Sequence, residues 1–464
     1  MDQRHHHREY RRLSLWWDQL PDELAGPQRP RLPGHRDADV AIVGAGFSGL
    51  WTAYYLLSAD PSTRIVVIEQ EAAGFGGSGR AGGWCSALFP APHSLVARWS
   101  SREAAIRLQQ ALDVTVDEVQ RVAGAEGIDC RFAKGGTISL VRSEAQEKRA
   151  RNHMADELSW GFDDLSWLDA DPARQRLAAT GVRGATLTPN CAAIDPARLV
   201  RALALAVERL GGVIYEGTRA TSIEPGVVRT DVGNVRAERV IRATEAFTPL
   251  LPGLRRTVAP VYSLMLATEP LPDEVWEQIG LRDRETFADY RRLIIYGQRT
   301  ADGRIAFGGR GAPYHYGSTV RPEHDHDARV QADLRRTLVE LLPVLRDVAV
   351  THTWGGAVGV SFDWTASVGL DERTGVGWAG GYVGDGIGTS NLAGRTLADL
   401  IRGERSDLAT LPWVNHRWPR WPPEPLRWVG TNLVLRGVMA ADRVEARAGR
   451  PSVVGRAVDR LLGH

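Results

Sequence analysis

Residues 39–49 read DVAIVGAGFSG and residues 64–69 read RIVVIE. DVAIVG is a short, β-branched apolar run that ends in glycine, the pattern of a strand buried on both faces of a parallel sheet. Residues 47–59 then place Leu50, Ala53, Tyr54 and Leu57 on one helical face, and RIVVIE is a second buried strand. Residues 39–69 therefore predict one βαβ unit. Its turn is Gly44-Ala45-Gly46-Phe47-Ser48-Gly49, a GxGxxG placed after a strand and opening a helix. Gly44 permits the tight turn, Gly46 lets a pyrophosphate approach the backbone, and Gly49 lets helix and strand pack closely. The phosphates would meet the free N–H groups of the helix start at Ala45, Phe47 and Ser48. Glu69 ends the second strand, 25 positions after Gly44. Its carboxylate would accept hydrogen bonds from an adenosine ribose and repel a 2′-phosphate, which disfavours NADP.

The next stretch, 74–83, reads GFGGSGRAGG, with six glycines in ten residues. Such a cluster is costly in folding entropy unless backbone must lie flush against something flat or charged. A flexible linker is the bland alternative, but Trp84, Leu88 and Phe89 follow at once. The stretch suits a dinucleotide longer than NAD, with Gly77, Gly82 and Gly83 presenting backbone to a phosphate or planar ring and Ser78 and Arg80 beside it. Far along the chain, GYVGDGIG (381–388) precedes the helical TSNLAGRTLADLI. Gly384, Gly386, Ile387 and Gly388 would place bare backbone at a helix start, with Thr389 or Ser390 as cap. A helix N-terminus stabilises negative charge of the kind a reduced flavin carries along N1 and its C2 carbonyl.

The whole chain is consistent with an α/β protein. Its 464 residues exceed one small core, and the net charge of +1 supplies no general field for nucleic acid or anionic membrane. No apolar run reaches the roughly 18–20 residues of a membrane span. Arg11-Arg12 is followed by Asp18, Asp22 and Glu23 rather than an apolar stretch, so an export signal is not expected. Cys85, Cys130 and Cys191 form no CxxC pair, which fits a reducing cytoplasm. His5–His7 sit in a polar terminus, and no metal site is expected. Helices are predicted over 101–122, 143–158, 195–210 and 324–343. FAKGGTISLV, VYSLMLATEP, RRLIIYGQ and RIAFGGR read as strands of an antiparallel sheet. The Pro/Gly-rich 26–34 reads as a leader outside the core. The expected architecture is a Rossmann-like FAD-binding domain with a parallel sheet, residues 1–110, 190–257 and 355–464. An α+β substrate domain with an antiparallel sheet takes 111–189 and 258–354. The Trp/Pro-rich tail 413–428 suits either a partner or membrane surface, or packing on its own domain; the second is favoured.

DVAIVGAGFSGL, Glu69, GFGGSGRAGG, RVIRATEAFTPLL and GYVGDGIGTSNLAGRTLADLI together resemble the FAD-dependent oxidoreductases of the D-amino acid oxidase type, nearest to the gamma-glutamylputrescine oxidoreductase branch. That branch reads SGRNGG where this chain has Ala81. The resemblance spans nearly the whole chain and implies FAD, hydride transfer from an amine α-carbon to flavin N5, hydrolysis of the imine, and reoxidation by oxygen or another acceptor. It implies non-covalent FAD, since the segment that carries the attaching Cys in sarcosine oxidase-like relatives reads GAVGVSFDW here. It also leaves oxidase and dehydrogenase behaviour open, because the strand RIAFGG lacks the Lys that assists oxygen in such relatives. Amino-acid oxidases of this type hold the substrate carboxylate with an Arg near a Trp-x-Gly turn. Thr353–Gly359 has none, which implies an amine without an α-carboxylate, with Arg310 the residue able to reverse that conclusion. His315, Tyr262, His352 and Arg310 are the candidate catalytic residues, with Tyr296 and Trp354 on segments able to face the flavin. Four rivals are an amino-acid oxidase or dehydrogenase, an FAD-binding electron-transfer or assembly subunit, a flavin hydroxylase, which would need a second nucleotide site, and an NAD-dependent dehydrogenase, which a yellow purified protein would exclude.

Overall fold

The computed structural model describes residues 10–26 and 29–448; His5–His7 lie outside the described residues. The βαβ unit forms as strand Arg36–Val43, helix Phe47–Ala59 and strand Ile65–Ile68. The two strands pair in parallel, with Val40 opposite Ile65 and Val43 opposite Ile68. They are the centre of a sheet ordered Ser367–Asp371, Val376–Gly380, Asn234–Arg242, Arg36–Val43, Ile65–Ile68, Val213–Tyr215. The pairings along it are parallel except for the hairpin of the first two strands. A sheet wound this way carries ligands at the carboxyl ends of its strands, where the turn after Val43 lies.

The second sheet takes eight strands, ordered Val350–Val360, Ala259–Thr268, Ile305–Arg310, Ile295–Arg299, Thr286–Asp289, Thr137–Val141, Gly184–Thr188, Ser166–Asp169. Its pairings are antiparallel apart from Thr286–Asp289 against Thr137–Val141. The mixed architecture expected from the sequence is thus present, and each sheet is assembled from separated stretches of chain.

Helices Phe47–Ala59, Pro196–Arg209 and Gly386–Arg402 pack against the first sheet, and Arg102–Ala125 packs on the last of them. Phe47–Ala59, Arg102–Ala125 and Gly386–Arg402 share a core that includes Leu50, Trp51, Leu57, Leu108, Leu112, Leu392 and Leu397. The first and last of these touch at Gly394, where a Cβ would lie 2.5 Å from the Cβ of Trp51. Among the described residues no helix is long and apolar enough to cross a membrane.

Several local readings change in the structure. The segment 26–34 is not a detached leader: Leu32 is buried with Val43, Val66 and Val235, and Arg29 bridges Glu208 at 2.6 Å and Glu216 at 2.9 Å. Leu15, Trp16 and Trp17, which carried no expectation, are buried, and Trp16 meets Trp354 edge-on at 6.1 Å. The helix expected to open at Thr389 opens at Gly386, with Asp385 at its N-cap. Its glycines read as loop in the sequence, but one of them serves close packing: a side chain at Gly388 would collide with the Ser86 carbonyl. The tail packs on its own molecule. Trp413 is buried, and Trp418 and Trp421 donate to the carbonyls of Thr365 and Val360 at 2.7 and 2.8 Å. The final helix, Leu426–Ala448, is bonded to the second-sheet side, where Asp442 accepts from the N–H groups of Arg292 and Leu293.

The helix–strand crossing at Gly49 allows a direct test. An added Cβ would collide with the Gly44 carbonyl and lie 3.1 Å from Ile42 Cγ2. Gly49→Ala should lower stability by about 1–3 kcal/mol, the cost of overpacking. Gly430→Ala, in the final helix with nothing within 4 Å, should raise it by roughly 0.5–1 kcal/mol. Thermal unfolding of the two variants checks both signs.

Candidate active site

A cavity of about 1250 Å³ runs from the turn after Val43 to the second sheet. Gly44, Gly46, Phe47, Ser48 and Glu69 line its first part. Gly44 has φ +107, which only glycine adopts readily, and a side chain there would strike the Ala243 carbonyl. Gly46 is the N-cap of the first helix, and a Cβ on it would come within 2.9 Å of Ser78 Oγ. The first-turn N–H groups of Ser48 and Gly49 have no acceptor within the helix, as at any helix start. Ala45 and Gly49 do not line the cavity. The Ala45 N–H instead donates to Glu69 at 2.9 Å, and Gly49 makes the helix–strand crossing. The other oxygen of Glu69 accepts from the Glu71 N–H at 2.9 Å. Burial pushes the Glu69 carboxyl up to about 7 despite these two bonds.

Of the Gly-rich stretch, Gly77, Ser78, Arg80 and Gly82 line the cavity and Gly83 does not. Ser78 Oγ accepts from the Phe47 N–H at 2.9 Å, which ties the stretch to the helix start. Several of its glycines face protein. Gly79 abuts Trp17, and a Cβ on Gly82 would sit 2.6 Å from the Tyr296 ring. Gly83 abuts Gln298 and the Ile194 carbonyl. The flat surfaces that demand bare backbone therefore include the chain's own rings. The Arg80 guanidinium is engaged by Asp325 at 2.7 Å and lies 4.8 Å from the Phe75 ring centre.

The 381–388 loop closes the cavity from the other side. Gly384, Asp385, Gly386 and Ile387 line it, whereas Gly388 packs on Ser86 and Thr389 Oγ1 donates to the Asp385 carbonyl at 2.7 Å. Tyr382 anchors the loop: its hydroxyl meets Ser48 Oγ at 2.8 Å and its N–H donates to Glu245 at 3.0 Å. Glu245 also accepts from the Gly359 N–H at 2.7 Å, and burial pushes its carboxyl up to about 7.

Among the four candidate catalytic residues, Arg310 alone lines the cavity. Its guanidinium donates to the Val383 carbonyl and lies 5.4 Å from the Trp364 ring. Beside it, Tyr296 bonds Ser263 at 2.7 Å. His315 stacks on His324 with ring centres 3.4 Å apart, Tyr262 accepts from the Arg321 N–H at 3.2 Å, and His352 pairs with Asp18 at 3.1 Å; none of the three lines the cavity. Trp354 is buried, donating to the Arg80 carbonyl at 2.9 Å.

Asp113 of helix Arg102–Ala125, Glu157 of helix Glu144–Trp160 and Asp164 of the loop after it line another part of the cavity as an acidic wall. Asp113 accepts from Gln109 at 2.9 Å and Asn190 at 3.2 Å, and burial raises it to about 6, with Asp164 and Glu157 adding to the rise. Burial opposes ionisation of Glu157 as well, but hydrogen bonds from His153 and His93 bring it down to about 2. Sequence reasoning missed this wall, because its members stand on three separate segments. It also missed Asp385, although a lone acid inside a glycine loop was a visible signal.

Residues 39–400 match the family model described as FAD dependent oxidoreductase, from the first strand of the dinucleotide unit into the helix that opens at Gly386. The chain is similar to a probable oxidoreductase OrdL of Rhizobium meliloti (strain 1021), with 31% identity over 391 residues, 83% of this chain and 88% of that protein. It is similar also to the gamma-glutamylputrescine oxidoreductase of Escherichia coli (strain K12), with 29% identity over 382 residues, 81% of this chain and 86% of that one. The solved structure of glycine oxidase from Geobacillus kaustophilus shares the fold, with a TM-score of 0.67 at 23% identity over 82% of this chain and 99% of that one. The matched model covers most of the chain and the glycine-lined cavity lies within it: this chain is an enzyme of the FAD-dependent oxidoreductase family.

Proposed function

We propose that the chain oxidises the C–N bond of a small polyamine-type or secondary amine to an imine. FAD, held in this cavity, would supply the hydride acceptor, flavin N5, with oxygen or another acceptor as the final oxidant. The residues present fit that cofactor. Gly44 and Gly46 line a turn with no room for side chains, the N–H groups of Ser48 and Gly49 have no acceptor within the helix, and Glu69 lines the cavity just after the second strand, in reach of a ribose in this reading. Gly44, Gly46, Ser48 and Glu69 would hold the adenosine and pyrophosphate half. Gly77, Ser78, Gly386 and Ile387 border the flavin half. Non-covalent binding is supported by the cysteines: Cys85 is buried in an apolar core outside the cavity, and burial pushes the Cys191 thiol up to about 11, far from the reactive thiolate. The free thiols of Cys85, Cys130 and Cys191 support a reducing, cytoplasmic setting.

The observation that carries the substrate reading is the anionic character of the cavity beyond the flavin half. Asp113, Glu157, Asp164 and Asp385 line the cavity, with His93 and His153 bonded to Glu157 and Arg310 near Asp385 without a direct ion pair, so acids outnumber the arginine there. An ammonium finds partners there. An α-carboxylate would meet like charge, a burial penalty on the order of several kcal/mol.

Three outcomes are expected. Gly46→Val should purify without flavin, read from the visible spectrum, because a side chain would fill the pyrophosphate position; full flavin content would refute the cradle. Acid precipitation of the wild type should leave the yellow colour in the supernatant. In anaerobic mixing, putrescine and cadaverine should bleach the flavin faster than their α-carboxylated counterparts ornithine and lysine. Faster bleaching by the amino acids, abolished by Arg310→Ala, would move the chain to the amino-acid oxidases.

A further inference from the structure

Asp385 occupies an N-cap, where a carboxylate ordinarily accepts from the N–H groups of the first turn. It makes no such bond, and its side chain accepts no hydrogen bond from any described residue. Most other carboxylates on the cavity wall are engaged: Glu69 by Ala45 and Glu71, Glu245 by Gly359 and Tyr382, Asp113 by Gln109 and Asn190, Glu157 by His93 and His153; Asp156 is exposed to solvent, whereas Asp385 is partly buried. A cavity-lining carboxylate left without donors is an incomplete site. Arg310 faces it from the end of strand Ile305–Arg310, close enough to stabilise its charge but without a direct ion pair.

We propose that Asp385 binds the reacting amine: its carboxylate pairs with the substrate's ammonium and takes one proton from it, with Arg310 as the positioning residue. The exchange is R–CH2–NH3⁺ plus carboxylate to R–CH2–NH2 plus carboxylic acid. One N–H bond breaks, one O–H bond forms, and the proton passes on to solvent. The nitrogen lone pair is then free to assist departure of the α-hydride. The assignment rests on the reading of this cavity as the FAD and amine site.

The charges around Asp385 set its pH behaviour. Burial raises its carboxyl to about 6, and Arg310 opposes the rise. Tyr296 and the Cys191 thiol also face it, both neutral at that pH because burial raises them. A carboxyl raised to about 6 is ionised above that pH, so ammonium binding should weaken as pH falls through it.

The test uses holoenzyme and tert-butylamine, whose α-carbon carries no hydrogen and which therefore binds without turnover. Wild type should show a saturable perturbation of its visible flavin spectrum. Asp385→Asn, isosteric and uncharged, should retain flavin but bind the amine about tenfold or more weakly, as expected for loss of a charge-assisted bond. Its kcat/KM profile with the best amine should lose the acidic limb near 6 that wild type shows. Equal tert-butylamine affinity in the two proteins, absence of any perturbation in wild type, or a retained limb would overturn the proposal. Should Asp385→Asn lose flavin, Asp385→Glu must restore both flavin and ammonium binding; flavin without ammonium binding would equally overturn it. The failures are distinguishable. Amines that bleach wild type and Asp385→Asn alike remove only this assignment. Amines that never bleach wild type, while tert-butylamine binding still depends on Asp385, remove only the oxidation reading.

Discussion

Two helices from opposite ends of the chain meet so closely that only glycine fits between them. Gly394 lies against Trp51, Gly49 lies against the turn at Gly44, and Gly388 lies against Ser86. Because the helices are locked side by side, their N-termini, at Gly46 and Asp385, open on the same cavity. The Ser48–Tyr382 bond of 2.8 Å spans the two starts directly. Each N-terminus carries partial positive charge and unspent N–H groups. A long, anionic cofactor that touches both is the ligand this arrangement favours.

The walls of the cavity are held by buried acids bonded to backbone. Glu69 gathers the N–H groups of Ala45 and Glu71; Glu245 gathers those of Gly359 and Tyr382. The Glu69 bonds close the βαβ turn, while those of Glu245 join segments far apart in sequence: the edge strand Val350–Val360 of the second sheet, the loop after Arg242 and the 381–388 loop. Burial raises both carboxyls to about 7, although each keeps part of its surface open to the cavity.

The second sheet supplies what the first lacks. Tyr296 packs on Gly82 and brings Ser263 and Arg310 with it, so the Gly-rich stretch is also a seam between the two sheets. Arg80 continues that seam through Asp325, and Trp16 and Trp17 brace it from the N-terminal side.

What the sequence by itself determined is local. The alternation of DVAIVG, a helical face and RIVVIE defines the βαβ unit, and Gly44, Gly46 and Gly49 define its turn, because each signal lies within one element and has one geometric solution. Four strands of the second sheet, Thr137–Val141, Ala259–Thr268, Ile295–Arg299 and Ile305–Arg310, were legible for the same reason; Ser166–Asp169, Gly184–Thr188, Thr286–Asp289 and Val350–Val360 were not. Tertiary structure alone decided which groups face the cavity. His315, Tyr262 and His352 looked as suitable as Arg310, yet three of them pair with other residues of the chain and only Arg310 reaches the cavity wall. Asp113, Glu157 and Asp164 converge from separate segments, and Gly82 is glycine because of Tyr296, more than 200 residues away. A side chain's partners are set by contacts between distant segments, and no spacing along the chain encodes which of them will meet.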